Sequence, residues 1–132
     1  MRYLLDTNTC IAAMRKHPRV IQRMAAVARG DCGISTITSY ELFTGIEKCV
    51  NPVKERAKVY LLTNTLFEID FEIEAAEDAA RIRAILEAQG QPIGPYDILL
   101  AGHALALSVI LVTANINEFS RVPGLILENW QV

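Results

Sequence analysis

Cysteine and histidine are scarce in this sequence, and their scarcity excludes several classes of protein. The three cysteines, Cys10, Cys32 and Cys49, are odd in number and form no C-x-x-C pair. This pattern fits neither a disulfide framework nor a zinc site. Reduced, mostly buried thiols are typical of a reducing compartment, so we expect a cytoplasmic protein. Of the two histidines, we expect His103 to be a core residue and His17 to lie at the surface.

Long apolar segments are also missing. The mainly apolar stretch 98–112 carries no charge, but Gly102, His103 and Ser108 interrupt it. It is too short for a transmembrane helix, which needs about 20 apolar residues. A secretory signal peptide is not expected either, because Asp6 falls where the apolar segment of such a peptide would be. We expect no membrane association.

The remaining composition favours one compact domain. The chain has 132 residues, of which 52% are hydrophobic and 21% are charged. This length is usual for one domain with a single sizeable core. Aliphatic residues must build most of that core, because only 7% of the residues are aromatic. We therefore expect residues 1–132 to form a single domain.

Apolar runs with strand character alternate with helical patterns along the chain. This alternation predicts an α/β fold, a three-layer α/β/α sandwich with a central, mostly parallel sheet. Strands are predicted at 2–5, 32–36, 66–70, 109–114 and 125–130. Helices are predicted at 7–15, 18–30, 38–49, 52–64, 73–90 and 96–108.

Three acidic residues have unusually apolar neighbours. Asp6 follows the strand YLL, Glu41 lies within the helical segment SYELF, and Asp97 opens a helix in PYDILL. The structural alternative for Asp6 and Asp97 is a role as a helix cap or first-turn residue. If Asp6 faces a metal instead, Thr7 or Asn8 can serve the helix. Glu41 is in mid-helix, where a buried carboxylate needs a partner, yet no lysine or arginine lies within one turn of it.

The three carboxylates point to one kind of chemistry if they converge. In open α/β sheets the functional crevice lies beyond the carboxyl ends of the strands, and Asp6 follows such an end. Carboxylates brought together there repel one another unless a cation lies between them. Oxygen ligands of this kind suit Mg²⁺ or Mn²⁺ rather than zinc. A metal ion held in this way promotes phosphodiester cleavage.

Further polar residues follow the strand VILV near the end of the chain. Thr113 and Asn115 lie at its carboxyl end, where they can hydrogen-bond a metal-bound water or an acidic ligand. The alternative is an ordinary Asx-type turn after a strand. Glu118 is close enough in sequence to join the acidic residues, but an exposed position is equally compatible with the pattern.

Positive charge is concentrated at the start of the chain. Residues 1–30 contain six basic residues and one acidic residue, a net charge of +5, whereas the whole chain has a net charge of −2. This asymmetry predicts a basic face that contacts RNA phosphates. The candidates are Arg15, Lys16, Arg19 and Arg23. The alternative is a solvated helix surface with no ligand.

Four ordered motifs carry a resemblance to a known family. LLDTN, TSYELFTGIEK, GPYDILLAGHA and VTANINEFSRVPGL resemble the motifs of the PIN-domain family. Within it, the sequence is most similar to the VapC-type toxins of bacterial toxin–antitoxin pairs, and the resemblance covers essentially the whole chain. It implies an α/β/α sandwich and a metal-dependent endoribonuclease.

The resemblance also implies the residues of the site. Asp6, Glu41 and Asp97 match the family's three acidic positions. Asn115 stands where the family often has a fourth acid, so the implied site is one Mg²⁺ or Mn²⁺ held by Asp6 and Asp97. Glu41 would reach this ion through water. Supporting hydrogen bonds are expected from Thr7, Asn8 and Thr113.

The partners follow from the resemblance as well. VapC-like proteins imply a cognate VapB-type antitoxin, whose C-terminal segment covers the active-site groove, and a homodimer within a larger toxin–antitoxin assembly. The subgroup with the ending VTANINEFSRVPGL is similar to toxins that cut initiator tRNA in its anticodon region. RNA, and tRNA in particular, is therefore the implied substrate.

Two alternatives remain at this stage. One is a PIN-like module that binds RNA or protein without cleaving it, which the neutral Asn115 would favour. The other is a receiver-like phospho-acceptor domain, which also places acidic residues and Mg²⁺ at strand ends. A receiver would need an acidic pair after the first strand and a lysine after the last, but Thr7 follows Asp6 and no lysine follows Lys58.

Overall fold

The computed structural model describes residues 1–28 and 30–132 of the chain. Within these residues it contains five strands and seven helices, and the predicted alternation of strands and helices is confirmed. The strands are β1 (Tyr3–Leu5), β2 (Cys32–Ser35), β3 (Phe67–Ile69), β4 (Ile110–Val112) and β5 (Leu127–Glu128). The helices are α1 (Thr7–Met14), α2 (Pro18–Ala26), α3 (Thr36–Lys48), α4 (Pro52–Thr63), α5 (Ile73–Ala88), α6 (Pro95–Leu107) and α7 (Ile116–Phe119).

The strands form one parallel sheet in the order β3-β2-β1-β4-β5. β1 lies in the middle, where Tyr3 pairs with Cys32 of β2 and with Ile110 of β4. The order reverses direction between β1 and β4, which makes the crevice between their carboxyl ends the topological switch point. Receiver domains have the order 2-1-3-4-5, so this sheet excludes the receiver-like alternative.

The core has two parts, one on each face of the sheet. Successive side chains of a strand point to opposite faces. Accordingly, Leu5 and Val112 pack with residues of α1, α2, α3 and α4, whereas Leu4 and Leu111 pack with residues of α5, α6 and α7. All four side chains are fully buried. The predicted three-layer α/β/α sandwich with a parallel sheet is therefore confirmed.

Some local predictions are wrong. Helix α2 ends at Ala26 rather than at Gly30, since the backbone of Val27 is extended (ψ 157°) and its side chain packs against the core. The short helix α7 was not predicted, because a single turn has too few residues to show a helical period. His17 is half-buried rather than at the surface. Its Nδ1 atom is buried and has no hydrogen-bond partner among the described residues.

The apolar stretch around α6 is accounted for by the core. His103 is only 2% exposed, and its Nδ1 lies 2.9 Å from the hydroxyl oxygen of Ser35, which confirms it as a satisfied core residue. No helix in the described part of the chain has the length and apolarity needed to cross a membrane.

Candidate active site

Asp6 lies at the switch point between β1 and β4. Its backbone N–H donates to the carbonyl oxygen of Val112, the last residue of β4, at 3.0 Å. The hydroxyl of Thr9 donates to the same carbonyl at 3.1 Å. Asp6 is only 6% exposed, so its carboxylate is held at the bottom of the crevice.

Asp6 also caps helix α1. Its Oδ1 accepts a hydrogen bond from the backbone N–H of Thr9 at 2.7 Å. The sequence allowed Thr7 or Asn8 to serve the helix in its place, but Asp6 is the N-cap residue and Thr7 is already the first residue of α1. Asn8 is exposed in the first turn of α1. Thr9 was missed as a supporting residue, although its position three residues after Asp6 was the available signal.

Glu41 has a partner that lies far away in sequence. The hydroxyl of Thr7 donates to Glu41 Oε1 at 2.7 Å and so joins the start of α1 to the middle of α3. Glu41 is half-buried, and this bond fixes the position of its carboxyl group. The predicted supporting role of Thr7 stays a prediction, and the contact that would serve it is the one with Glu41.

Asp97 is in the first turn of α6 and lies beside Glu118, since a Cβ atom added at Gly94 would be 3.2 Å from Asp97 Oδ2 and 3.8 Å from Glu118 Oε1. The pKa of Asp97 is raised from 3.8 to about 6. Burial is the largest cause, followed by the charge of Glu118 and the hydrogen bond to it, and then by the charges of Glu41 and Asp6. These influences show that the four carboxylates share one electrostatic environment, which we call the acidic site.

Glu118 is held in place as an ionised acceptor. Its Oε1 accepts a hydrogen bond from the backbone N–H of Gly94 at 2.8 Å, and its Oε2 accepts one from the side-chain amide of Asn115. The pKa of Glu118 is lowered, chiefly by the Gly94 N–H, whereas that of Asp97 is raised, so Glu118 ionises at a lower pH than Asp97. The sequence left the role of Glu118 open, and the structure brings it into the acidic site.

Asn115 contacts Glu118 through its side-chain amide. It is exposed at the start of α7, and its backbone N–H donates to the hydroxyl oxygen of Thr113 at 3.0 Å. Thr113 is fully buried. In this geometry Asn115 orients the fourth carboxylate, Glu118, through its amide group, and Thr113 positions Asn115.

The donor set suits a hard divalent cation. Neighbouring carboxylates repel one another, and the charges of Glu118, Glu41 and Asp6 add to burial in raising the pKa of Asp97. Oxygen donors of this type fit Mg²⁺ or Mn²⁺. Among residues 1–28 and 30–132, however, no three His, Cys, Asp or Glu side chains are grouped so that they hold a metal ion together.

The predicted basic residues lie on and near α2. Arg15, Lys16, Arg19 and Arg23 are all exposed. Arg23 has partners within the chain, because its guanidinium lies 2.6 Å from Glu128 Oε1 and over the ring of Trp130. Arg23 therefore has a structural role that the sequence pattern did not reveal.

The chain belongs to the PIN-domain family, whose model matches residues 3–125. It is similar to the tRNA(fMet)-specific endonuclease VapC of Salmonella typhimurium, with 38% identity over 130 residues and 98% of each chain covered. It is also similar to the ribonuclease VapC2 of Rickettsia felis, with 39% identity over 132 residues and the same coverage. The predicted resemblance to VapC-type ribonucleases is thus confirmed.

Solved structures agree with these comparisons. The DNA-bound VapBC complex from Salmonella typhimurium contains a chain that matches with a TM-score of 0.93, 38% identity and 98% coverage of both chains. VapBC-1 from nontypeable Haemophilus influenzae gives a TM-score of 0.90 with 30% identity and full coverage of both chains. PIN-domain ribonucleases generally depend on a divalent metal ion.

Proposed function

We propose that this protein is a metal-dependent endoribonuclease and the toxin of a toxin–antitoxin pair. Its proposed substrate is tRNA, specifically initiator tRNA cut in the anticodon region, which would stop translation. The acidic site at the β1–β4 switch point carries the proposal, because its carboxylates suit a divalent cation and such a cation can promote phosphodiester hydrolysis. The similarity to VapC endonucleases over nearly the whole chain supports it.

Asp6 and Asp97 are the proposed direct ligands of one Mg²⁺ or Mn²⁺, and Glu41 is proposed to act through water. When bound, the cation supplies the positive charge that stabilises the extra negative charge developing on the phosphate. Thr7 holds Glu41 in position, and capping of α1 holds Asp6. Glu118 lies against Asp97 and keeps it at the mouth of the crevice.

The partners are proposed from the same relatives. A VapB-type antitoxin would neutralise the toxin, and the solved VapBC complexes contain such pairs. We further propose a homodimer, action in the cytoplasm, and a single PIN-like domain spanning residues 1–132. Arg15, Lys16 and Arg19 remain proposed contacts of RNA phosphates.

Expression of the chain without an antitoxin tests the function in cells. We expect growth arrest, and we expect Asp6→Asn or Asp97→Asn to relieve it. Glu74→Gln is the matched control, since it removes a charge from the exposed first turn of α5, and it should remain toxic. Sequencing of RNA ends after a brief pulse of expression should show a new end in the anticodon region of initiator tRNA. Arrest that persists in both aspartate variants would reject the assigned site.

Purified protein tests the metal requirement. Cleavage of tRNA should stop when EDTA is added and return when Mg²⁺ or Mn²⁺ is supplied in excess. Activity that does not respond to chelation would reject the proposed mechanism. Binding of RNA without any cleavage, in the presence of metal, would instead support the alternative of a PIN-like binding module, which the contact between Glu118 and Asp97 disfavours.

A further inference from the structure

Two exposed tyrosines lie beside the acidic site. Tyr40 directly precedes Glu41 on α3, and Tyr96 directly precedes Asp97 on α6. Their hydroxyl oxygens are 3.2 Å apart, and their ring centroids are 5.5 Å apart. The two helices that carry Glu41 and Asp97 are therefore joined at the surface by a pair of aromatic rings, which we call the tyrosine pair.

The tyrosine pair leaves much of its ring surface in contact with water. Tyr40 is 52% exposed and Tyr96 is 43% exposed. The ring planes are inclined by 51°, so the rings do not cover each other by stacking. A hydrogen bond between two exposed hydroxyls contributes little to the stability of the fold, because water replaces it at small cost. Packing in the monomer does not account for this arrangement.

The pair also adjoins the acidic site. The contact between the two hydroxyls brings together the parts of α3 and α6 that carry Glu41 and Asp97. A molecule that contacts these rings therefore lies beside the carboxylates.

We infer that Tyr40 and Tyr96 bind unpaired nucleobases of the RNA strand that enters the acidic site, an inference that rests on the proposed function. Aromatic rings stack with any nucleobase, because every base has a π-face. A base held on this pair would bring the phosphate next to it towards Asp97. Stacking requires a base that is free of its helix, so the pair selects single-stranded or looped RNA over duplex RNA.

A second copy of the chain is the competing occupant of this surface. Phe43 and Tyr60, with ring centroids 6.2 Å apart, extend the exposed aromatic surface from α3 to α4. A copy seated directly on the tyrosine pair would bring like charges together, since Glu41 and Asp97 adjoin the two rings in each copy. Such burial of repelling carboxylates is unfavourable. A nucleobase adds no charge at the rings, and the phosphate beside it is attracted by the cation proposed for the acidic site, so RNA is the favoured occupant.

The test uses the purified full-length chain treated with EDTA and a short single-stranded oligoribonucleotide that contains 2-aminopurine. Stacking on an aromatic ring quenches the fluorescence of this base. We expect the wild type to quench it, and we expect the double variant Tyr40→Leu/Tyr96→Leu to bind roughly tenfold more weakly and to lose the quenching. The double variant Tyr40→Phe/Tyr96→Phe keeps both rings and should retain both properties.

Tyr60→Leu is the matched control. Tyr60 has the same 43% exposure as Tyr96, but it lies on α4, which carries none of the four acidic residues. This variant should bind and quench like the wild type. An oligonucleotide with abasic sites should bind the wild type as weakly as the intact oligonucleotide binds the double leucine variant.

Three results would overturn the inference. The first is unchanged binding and quenching in the double leucine variant. The second is a loss of binding and quenching in Tyr60→Leu that equals the loss in the double leucine variant. The third is a change from dimer to monomer in the double leucine variant by light scattering, which would assign the rings to a second copy.

The proposed function is tested separately by tRNA cleavage with Mg²⁺. If the wild type cleaves tRNA and the double leucine variant has an unchanged KM, the inference fails while the function stands. If the wild type cleaves no RNA but the leucine variant loses quenching, the function fails while the base-binding role stands.

Discussion

Asp97 and Glu118 form a contact between two carboxyl groups that makes the acidic site sensitive to pH. Gly94 lies at its centre: its N–H binds Glu118, and a Cβ atom added there would meet Asp97 Oδ2 at 3.2 Å. The loop before α6 therefore lets the two carboxyl groups approach. Their repulsion is a cost to the fold that a bound cation would offset.

The pKa of Asp97 leads to a prediction for stability. At about 6 it is higher than the ordinary value of 3.8, so the folded chain binds this proton more tightly than the unfolded chain. Stability from this group is therefore fully present below about pH 4 and is lost as the pH rises through 6. Without metal, Asp97→Asn should raise the free energy of unfolding at pH 8 by about 1 kcal/mol, after allowance for solvent screening of a partly exposed group.

Urea denaturation in EDTA at several pH values between 4 and 8 measures this effect. The difference in free energy of unfolding between Asp97→Asn and the wild type should decrease towards zero at pH 4. A variant that is less stable than the wild type at pH 8 would contradict the assignment of Asp97 to a repulsive environment.

The hydrogen bond from Thr7 to Glu41 gives a second prediction. Thr7→Val keeps the shape of the side chain but removes the donor at 2.7 Å from Glu41. We expect a loss of about 1 kcal/mol in stability, because the half-buried carboxyl group of Glu41 loses its partner, and roughly tenfold lower RNA cleavage. Thr7→Ser keeps the hydroxyl and should retain most activity. If valine is as active as serine, the bond does not position Glu41.

Helices α5 and α6 approach each other closely at Gly102. A Cβ atom at this position would lie 2.5 Å from the backbone nitrogen of Ala79 and 2.6 Å from its Cα atom. Backbone cannot move aside as a side chain can, so Gly102 lets α6 lie against α5. Because Asp97 is on the same helix, this contact also determines how far Asp97 reaches over the sheet edge.

Gly102→Ala should therefore destabilise the protein by about 2 kcal/mol through overpacking. Gly45→Ala is the control, since it also lies inside a helix but has no atom within 4 Å of the added Cβ. Alanine at position 45 should instead stabilise the chain by about 0.5 kcal/mol, because it favours the helix. Thermal unfolding of both variants measures the contrast. Equal effects at the two glycines would show that the helix contact is not tight.

The end of the chain is tied to its beginning on one face of the molecule. Trp130 is 1% exposed and packs edge-to-face on Tyr3 of β1, with centroids 5.1 Å apart. Arg23 of α2 covers the Trp130 ring, and both side chains bind Glu128 Oε1. These contacts attach the last residues of the chain to β1 and α2.

These contacts give Arg23 a structural role that distinguishes it from Arg19. Arg23→Glu places a negative charge beside Glu128 and should lower the free energy of unfolding by about 1 to 2 kcal/mol. Arg19→Glu should leave stability within about 0.5 kcal/mol, as expected for an exposed residue without such partners. If Arg19 contacts RNA phosphates, its reversal should weaken tRNA binding and reduce the salt dependence of binding. Unchanged binding would show that Arg19 is a solvated surface residue with no role in RNA binding.

Much of the fold was predictable because it depends on local patterns. Apolar runs such as YLL predict buried strands, and Pro18 and Pro52, which favour the first turn of a helix, predicted the starts of α2 and α4. The end of α2 was not predictable, because the packing of Val27 against the core ends the helix before Gly30. Composition and spacing contain no information about that contact.

The identity of the acidic residues was easier to predict from the sequence than the contacts that they make. Asp6, Glu41 and Asp97 stood out because charged side chains with apolar neighbours need a reason. The partners of these acids could not be read from the sequence, since Thr7 precedes Glu41 by 34 residues and Gly94 precedes Glu118 by 24. In the sequence, Glu118 resembles an ordinary surface acid. Only in the structure does its position on α7 place it beside Asp97.

The sequence alone specified the class of fold, the motifs of the PIN-domain family and three acidic residues, because periodicity, capping and charge are properties of neighbouring residues. The tertiary structure decided which side chains meet. It joined Thr7 to Glu41, set Glu118 against Asp97 and turned Arg23 towards Glu128. It did so because the parallel sheet brings strands that are distant in sequence to one edge, and only there do the carboxylates share a crevice.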